Sequence, residues 1–217
     1  MTIMFNKNKE TNPLLPIRLN ISLCRFLLIC IPILPACSQT PSAAIPLLQE
    51  AGQGVLKFSD GSTREIPHWN DSNYVTLVFV RHCEKVLDGS KNPDLTPEGY
   101  ARAERLGRIF EQFRLDSVYT TPYRRTQLTA EAVRTRAKLP PVLSYAPEDQ
   151  PALLTSFLHS AKGKRLLIVG HQNTVPMGLN VLAGAFNYQN LSDFEYGKCF
   201  IAVSNGLGQT TVLELNY

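Results

Sequence analysis

The chain has 217 residues, of which 44% are hydrophobic and 18% are charged. This length and composition suit one globular domain with a sizeable core, and they exclude a disordered or collagen-like chain. The formal net charge is +4, but residues 1–36 carry most of it, and the remainder holds 18 basic and 17 acidic residues. The sequence has no run of Lys or Arg, so its charge pattern excludes an obvious nucleic-acid partner.

The N-terminus is typical of an export signal. Basic residues up to Arg25 precede the apolar segment FLLICIPIL, residues 26–34. This segment has the length of a signal-peptide core and is too short for an ordinary transmembrane helix. It ends in LPAC, residues 34–37, which resembles a bacterial lipobox and predicts that Cys37 is lipidated. A plain signal peptide and an uncleaved anchor are the alternatives.

These features divide the chain into three predicted parts. Residues 1–36 are the signal peptide, residues 37–53 are a tether rich in Ser, Pro and Ala, and residues 54–217 are one domain. The expected location is therefore outside the cytoplasm, on a membrane facing the periplasm, with the lipid on Cys37 as the anchor.

The five cysteines do not indicate a disulfide framework. Three of them fall in or beside the signal, which leaves Cys83 and Cys199 in the domain. Both are predicted to be small buried side chains, and a disulfide between them is the alternative.

Apolar runs and helical periodicities alternate along the domain. In chain order they predict a hairpin over 54–66, a buried strand over 74–80, a helix over 95–113, a strand over 115–120, a helix over 122–137, a strand over 141–145, a helix over 151–161, a buried strand over 165–170, a helix over 173–185, and two strands over 198–205 and 209–217 joined at Asn205-Gly206. Thr96 and Pro97 fit the N-cap and first turn of the first helix. The alternation predicts an α/β fold with three α/β/α layers and a mostly parallel central sheet.

Three predicted strands end in basic or histidine side chains. Arg81 and His82 follow the first buried strand, Arg124 and Arg125 follow the next, and His171 follows LLIVG. The carboxyl ends of parallel strands share one edge of a sheet, so we expect these side chains to meet in one crevice. Helix N-termini there favour an anion, and arginine forks match phosphate oxygens. The pattern therefore predicts a site for a tetrahedral oxyanion.

A histidine beside arginines is suited to nucleophilic attack on phosphorus. Neighbouring positive charge lowers its pKa, so the attacking nitrogen stays unprotonated. The other ring nitrogen then needs a fixed acceptor, such as a backbone carbonyl. Taken alone, His171 could equally be a core histidine with satisfied hydrogen bonds.

Three segments, in this order, resemble motifs of the histidine phosphatase superfamily, also called the phosphoglycerate mutase-like family. VFVRHCEK (78–85) is similar to its Arg-His-Gly/Ala-Glu signature, VYTTPYRRTQLTA (118–130) to its second-arginine segment, and LLIVGHQNTVP (166–176) to its second-histidine segment. The resemblance extends over about residues 75–205. It implies a phosphoglycerate mutase-like fold and phosphomonoester hydrolysis through a phosphohistidine, with no metal and no cofactor.

The resemblance also implies roles for individual residues. His82 would be the phosphorylated nucleophile, and His171 would be the second catalytic histidine. Arg81 and Arg125 would bind the phosphate. Lys85, which makes the motif an RHxEK variant, would line the mouth of the pocket.

Other positions have supporting or open roles. Glu84 would be a supporting residue, and Arg124 would be the outer neighbour of the phosphate arginine. Cys83 replaces the usual Gly or Ala of the signature and would be either inert or redox-sensitive. In SYAPEDQP, Glu148 or Asp149 could protonate the leaving oxygen, or both could be solvated loop residues.

These features favour an exported, lipid-anchored phosphatase whose partner is a small phosphate ester of the envelope. A phosphoglycerate-type mutase and a non-catalytic anion-binding module are the alternatives. Loops 86–94 and 145–150 are expected to set specificity, and their sequences are too generic to name a substrate.

Overall fold

The computed structural model describes residues 45–217, so the predicted signal peptide, Cys37 and the first part of the tether lie outside the described residues. The elements of the described part follow in chain order as β1 (Leu48–Gly52), β2 (Val55–Phe58), β3 (Thr63–Glu65), β4 (Val75–Arg81), α1 (Pro97–Phe110), β5 (Ser117–Thr120), α2 (Arg124–Arg136), β6 (Leu143–Ser144), α3 (Gln150–Ser160), β7 (Arg165–Gly170), α4 (Thr174–Ala183), β8 (Lys198–Gly206) and β9 (Gln209–Asn216). A single 3-10 turn, Pro147–Asp149, precedes α3. In this part of the chain no helix is long and apolar enough to cross a membrane.

The central sheet has six strands in the order β6-β5-β7-β4-β8-β9. The first four run parallel, whereas β8 pairs antiparallel with β4 and β9 pairs antiparallel with β8. The predicted α/β fold with a mostly parallel sheet is therefore confirmed, with an antiparallel pair at one edge. The final turn lies at Leu207-Gly208 and not at Asn205-Gly206, because Gly206 still pairs with Gln209 and Gly208 supplies the positive φ of the turn.

Every residue of β4 is buried because helices cover both faces of the sheet. Val78 and Val80 pack in the core under α1 and α2. Leu77 and Phe79 point to the other face and pack in the core under α3 and α4. Alternate residues of one strand thus serve two separate cores, which explains why the sequence of β4 is continuously apolar.

The folded chain begins earlier than the sequence predicted. Strand β1 falls inside the predicted tether of residues 37–53, and it pairs with β2 in a small sheet that also contains β3. Leu48 and Ala51 are fully buried in the core that Phe110 and Phe113 also join. The predicted hairpin over 54–66 is confirmed, with β1 as its third strand.

Helix α1 begins as predicted and packs closely on the loop that follows β4. The Thr96 side chain accepts a hydrogen bond from the Gly99 amide at 3.1 Å, and the Thr96 amide donates to the Glu84 carbonyl at 2.9 Å. A Cβ on Gly99 would collide with that same carbonyl oxygen. Because Gly99 has no side chain, the first turn of α1 can pack directly against the backbone of Glu84.

Replacing Gly99 with alanine is expected to lower the free energy of unfolding by about 1–3 kcal/mol, because backbone must move to admit the methyl group. Urea unfolding of the purified protein measures this loss. Gly206→Ala is the matched control, since the nearest atom to its added Cβ would be 3.8 Å away. A similar loss in both variants would contradict the close approach at Gly99.

Candidate active site

The ends of β4 and β7 place two histidines side by side. Arg81 pairs with Gly170 in the parallel ladder, and the His82 amide donates to the Gly170 carbonyl at 2.9 Å. His171 follows directly, and the centroids of the two imidazole rings are 5.5 Å apart. The predicted convergence of strand ends at one edge of the sheet is therefore observed.

A pocket of about 600 Å³ opens at this edge. It is lined by Arg81, His82, Lys85, Tyr123, Arg125, Pro147, His171, Gln172, Asn173, Thr174 and Asn190. All five basic or histidine residues that the sequence predicts for the site therefore line one pocket: Arg81, His82, Lys85, Arg125 and His171. No carboxylate of the described chain lines it, so its charged side chains are all basic.

The two predicted proton donors lie outside the pocket wall. Glu148 and Asp149 are exposed residues of the 3-10 turn, and only Pro147 of that turn lines the pocket. The predicted loop therefore reaches the pocket through Pro147, whereas its two carboxylates do not line it. The structure therefore leaves the role of Glu148 a prediction.

His82 is held as a neutral imidazole with a defined tautomer. Its side chain is buried, and Nδ1 lies 2.8 Å from the Cys83 carbonyl oxygen. A carbonyl can only accept, so Nδ1 carries the hydrogen and Nε2 keeps its lone pair. Burial, followed by the charges of His171 and Arg125, lowers the pKa of His82 to about 3. The carbonyl acceptor that a nucleophilic histidine requires is thus present.

His171 is held through a pair of threonines that sequence reasoning missed. Its Nε2 lies 2.9 Å from Thr121 Oγ1, which lies 3.0 Å from Thr126 Oγ1. The Thr126 hydroxyl in turn donates to the Tyr123 carbonyl at 2.8 Å. Burial and the nearby Arg125 and Arg81 lower the pKa of His171 to about 4. The repeated threonines of TTPYRRT were the available signal in the sequence.

Arg81 is anchored on its outer side by other parts of the chain. It is 3% exposed, and Nη1 donates to the Ser192 carbonyl at 2.7 Å while Nη2 donates to Gln172 Oε1 at 3.0 Å. Its guanidinium carbon lies 4.1 Å from the centroid of the Tyr196 ring. These contacts fix the orientation of the side chain, although its buried Nε has no partner.

Arg125 has more donors without a hydrogen-bond acceptor than Arg81 has. Its Nε and Nη1 are both buried without a partner, and its guanidinium carbon lies 4.5 Å from the centroid of the Tyr123 ring. A buried donor without an acceptor typically costs about 1–3 kcal/mol. Arg125 also lines the pocket, so an oxyanion bound there is placed to accept from its guanidinium.

Two helices begin beside the pocket and add to its positive potential. The N-cap residues of α2 and α4 are Tyr123 and Asn173, and neither makes a side-chain capping bond. Neither helix has an acidic residue in its first turn. The Arg124 amide at the start of α2 donates to Asn92 Oδ1 at 2.7 Å, so it is mainly the positive ends of the two helix dipoles that favour an anion at this edge.

The remaining motif residues stabilise the surroundings of the pocket. Glu84 forms a bidentate pair with Arg102 Nε at 2.8 and 3.0 Å, which fits its predicted supporting role. Arg124 points outward and pairs with Asp94 at 2.9 Å. Cys83 is a buried free thiol, and burial raises its pKa to about 12, which favours the inert alternative. Cys199 is also buried and free.

A family model described as Histidine phosphatase superfamily (branch 1) matches residues 77–146. The match contains the first signature and the second-arginine segment, and it ends before His171. No curated protein matches the sequence.

Several solved structures share the fold. The protein histidine phosphatase SixA complexed with tungstate is 16% identical with a TM-score of 0.53, and the alignment covers 65% of this chain and 96% of that one. A mycobacterial glucosyl-3-phosphoglycerate phosphatase is 11% identical with a TM-score of 0.54, over 66% and 98%. Phosphoserine phosphatase from Entamoeba histolytica, in complex with 3-phosphoglyceric acid, is 14% identical with a TM-score of 0.53, over 66% and 97%.

The buried neutral His82 predicts a pH-dependent stability. Its pKa is about 3 in the folded protein and about 6.5 when unfolded, so at falling pH the unfolded chain takes up the proton first. Stability should therefore fall as the pH drops below about 6.5, and His82 alone should contribute about 1 kcal/mol of loss between pH 6 and pH 5.

Urea unfolding at the two pH values measures this contribution when the parent is compared with His82→Asn. The variant should lose less stability than the parent on acidification. His159→Asn is the control, because His159 is exposed. An identical pH dependence in the parent and His82→Asn would show that His82 is not buried in its neutral form.

Proposed function

We propose that this protein is a phosphomonoester hydrolase that works through a phosphohistidine on His82. The observation that carries the proposal is an unprotonated Nε2 of His82 in the same pocket as two arginines with unpartnered buried donors. A phosphate ester satisfies both features, since its oxygens accept from the arginines and its phosphorus accepts the lone pair of the histidine. The structural neighbours named as phosphatases add support to this reaction class.

In the first step, Nε2 of His82 attacks phosphorus, an N–P bond forms, and the bond from phosphorus to the leaving oxygen breaks. Arg81 and Arg125 neutralise the charge on the non-bridging oxygens, which is greatest in the transition state. The Cys83 carbonyl accepts from Nδ1 at 2.8 Å, so it stabilises the positive charge that develops on the imidazole. The leaving oxygen takes a proton.

In the second step, water attacks phosphorus and gives one proton back to the carboxylate that protonated the leaving oxygen, the N–P bond breaks, and inorganic phosphate leaves with the neutral His82 restored. His171 contacts a phosphoryl oxygen in both steps: its Nδ1–H donates to that oxygen while Nε2 accepts from the Thr121 hydroxyl, which also fixes the ring. The proposed roles of the arginines and histidines use no metal ion, so chelation should leave the rate unchanged.

Glu148 is the proposed proton donor to the leaving oxygen, and Asp149 is the alternative. Both belong to the turn whose Pro147 lines the pocket. Their side chains are exposed and outside the pocket wall. Donation therefore requires this turn to move toward the bound ester.

The proposed location is the periplasmic side of a membrane, with a lipid on Cys37 as anchor. The support is the LPAC segment after a short apolar core. The proposed substrate is accordingly a small phosphate ester outside the cytoplasm.

Hydrolysis of para-nitrophenyl phosphate tests the proposed activity. The purified protein should release phosphate at the same rate with and without EDTA, and His82→Ala should lower kcat by at least about a thousandfold because the nucleophile is lost. His159→Ala, which removes an exposed histidine, should retain the parent rate.

Activity that survives in His82→Ala would contradict the phosphohistidine mechanism. If the folded parent protein binds inorganic phosphate but turns over no ester from acid to neutral pH, the pocket serves as an anion-binding module. Transfer of the phosphoryl group to a second hydroxyl instead of water would indicate a mutase.

Thr121 is expected to act as a positioning residue through His171. Thr121→Val keeps the volume but removes the hydroxyl, so kcat should fall about tenfold to a hundredfold while KM changes little, because the ring orientation of His171 matters most in the transition state. Thr121→Ser should restore most of kcat. Equal losses in the Val and Ser variants would point to a packing role only.

A further inference from the structure

A second cavity, of about 660 Å³, lies beside the phosphate pocket along α4. The two cavities share Asn173 and Asn190 in their walls. We call this second cavity the α4 groove, and its apolar wall consists of Met177, Val181, Ala185, Phe186 and part of Tyr188. A ligand held by its phosphate in the first cavity can thus extend directly into the second.

The α4 groove follows the axis of the helix. Asn173, Met177, Val181 and Gly184 line it, and their spacing of four, four and three residues places them on one helical face. The eleven rises from Asn173 to Gly184 span about 16 Å, which is the length of an extended chain of roughly thirteen carbon atoms. The groove therefore suits a long, narrow group.

The opposite wall is fixed by one side chain of α4. Asn180 Oδ1 accepts from the amides of Asn187 and Tyr188 at 2.9 and 2.8 Å, and Asn180 Nδ2 donates to the Tyr188 carbonyl at 2.9 Å. The Leu191 amide then donates to the Gln172 carbonyl at 2.9 Å, next to the phosphate pocket. Segment 186–190 is thus tied at both ends, and the groove is formed before any ligand binds.

The chemistry of the α4 groove differs sharply from that of the phosphate pocket. Its lining residues are all uncharged, whereas the phosphate pocket contains Arg81, Arg125 and Lys85. Phe186, at the far end, is 96% exposed. Its ring is therefore free to contact a ligand that lies in the groove.

We propose that the α4 groove binds the apolar leaving group of the substrate, so that the substrate class is the phosphate monoester of a long aliphatic alcohol. The turnover part of this inference rests on the proposed phosphatase function. The binding part does not, because it needs only an anion-binding pocket joined to an apolar groove.

A series of n-alkyl phosphates from ethyl to octyl tests the proposal below their micelle concentrations. The leaving-group chemistry is nearly constant along this series, so differences report contacts with the chain. We expect kcat/KM to rise by about two- to fourfold for each added methylene. A flat series, with para-nitrophenyl phosphate still hydrolysed, would overturn the groove and leave the phosphatase function intact.

Two variants locate the contact along the groove. Met177→Gln, near the phosphate pocket, should already weaken turnover of butyl phosphate. Phe186→Ser, at the far end, should lower kcat/KM mainly for octyl phosphate, by about fivefold to twentyfold. Leu143→Ser is the matched control, because it removes a half-exposed side chain on β6, at the other edge of the sheet. Equal effects of all three substitutions would overturn the proposal.

Binding of n-alkylphosphonates separates the two inferences, since their C–P bond resists hydrolysis. Calorimetry on the purified protein should show the dissociation constant falling from ethylphosphonate to octylphosphonate, and Phe186→Ser should reduce that gain. This result supports the groove even if no ester is turned over. Equal affinities along the series overturn it whether or not the protein is a phosphatase.

Discussion

The site depends on two histidines that stay uncharged beside the buried Arg81 and the partly buried Arg125. If His82 or His171 were protonated in the empty pocket, its positive charge would be repelled by the positive charges of Arg81 and Arg125. Burial and these arginines therefore depress the pKa of both rings. The hydrogen bond from His82 Nδ1 to the Cys83 carbonyl then decides which nitrogen keeps its lone pair. With both imidazole rings uncharged, the arginines give the empty pocket a net positive charge, which a bound oxyanion neutralises.

The fold supports this arrangement by fixing the backbone at the end of β4. The strand is hydrogen-bonded on both sides and packed on both faces, so Arg81 and His82 are held in a fixed position relative to His171 at the end of β7. Helices α2 and α4 begin at the same edge, and the second of them also forms one wall of the α4 groove. Helix α4 thus connects the charged anion site to an uncharged, partly apolar groove. The proposed substrate is amphiphilic because it would occupy both.

Local sequence patterns predicted the parts of the site that depend on strand ends. Arg81, His82, Arg125 and His171 follow buried strands directly, and the parallel sheet brings such positions together. The role of Thr121 was missed because it depends on a hydrogen bond across fifty residues of sequence. The sequence places β1 in the tether because its five residues contain only two that are buried, Leu48 and Ala51, and these find their partners in and after α1. The α4 groove could not be predicted, since its second wall is a loop that folds back along the helix.

A crystal structure of the protein with tungstate tests most directly whether an oxyanion completes the cluster of basic residues. We expect one tetrahedral anion in the pocket, within hydrogen-bonding distance of Arg81, Arg125 and His171, with tungsten facing His82 Nε2. Tungstate bound elsewhere while the pocket stays free of it, or an anion in the pocket that does not contact Arg125, would contradict this expectation.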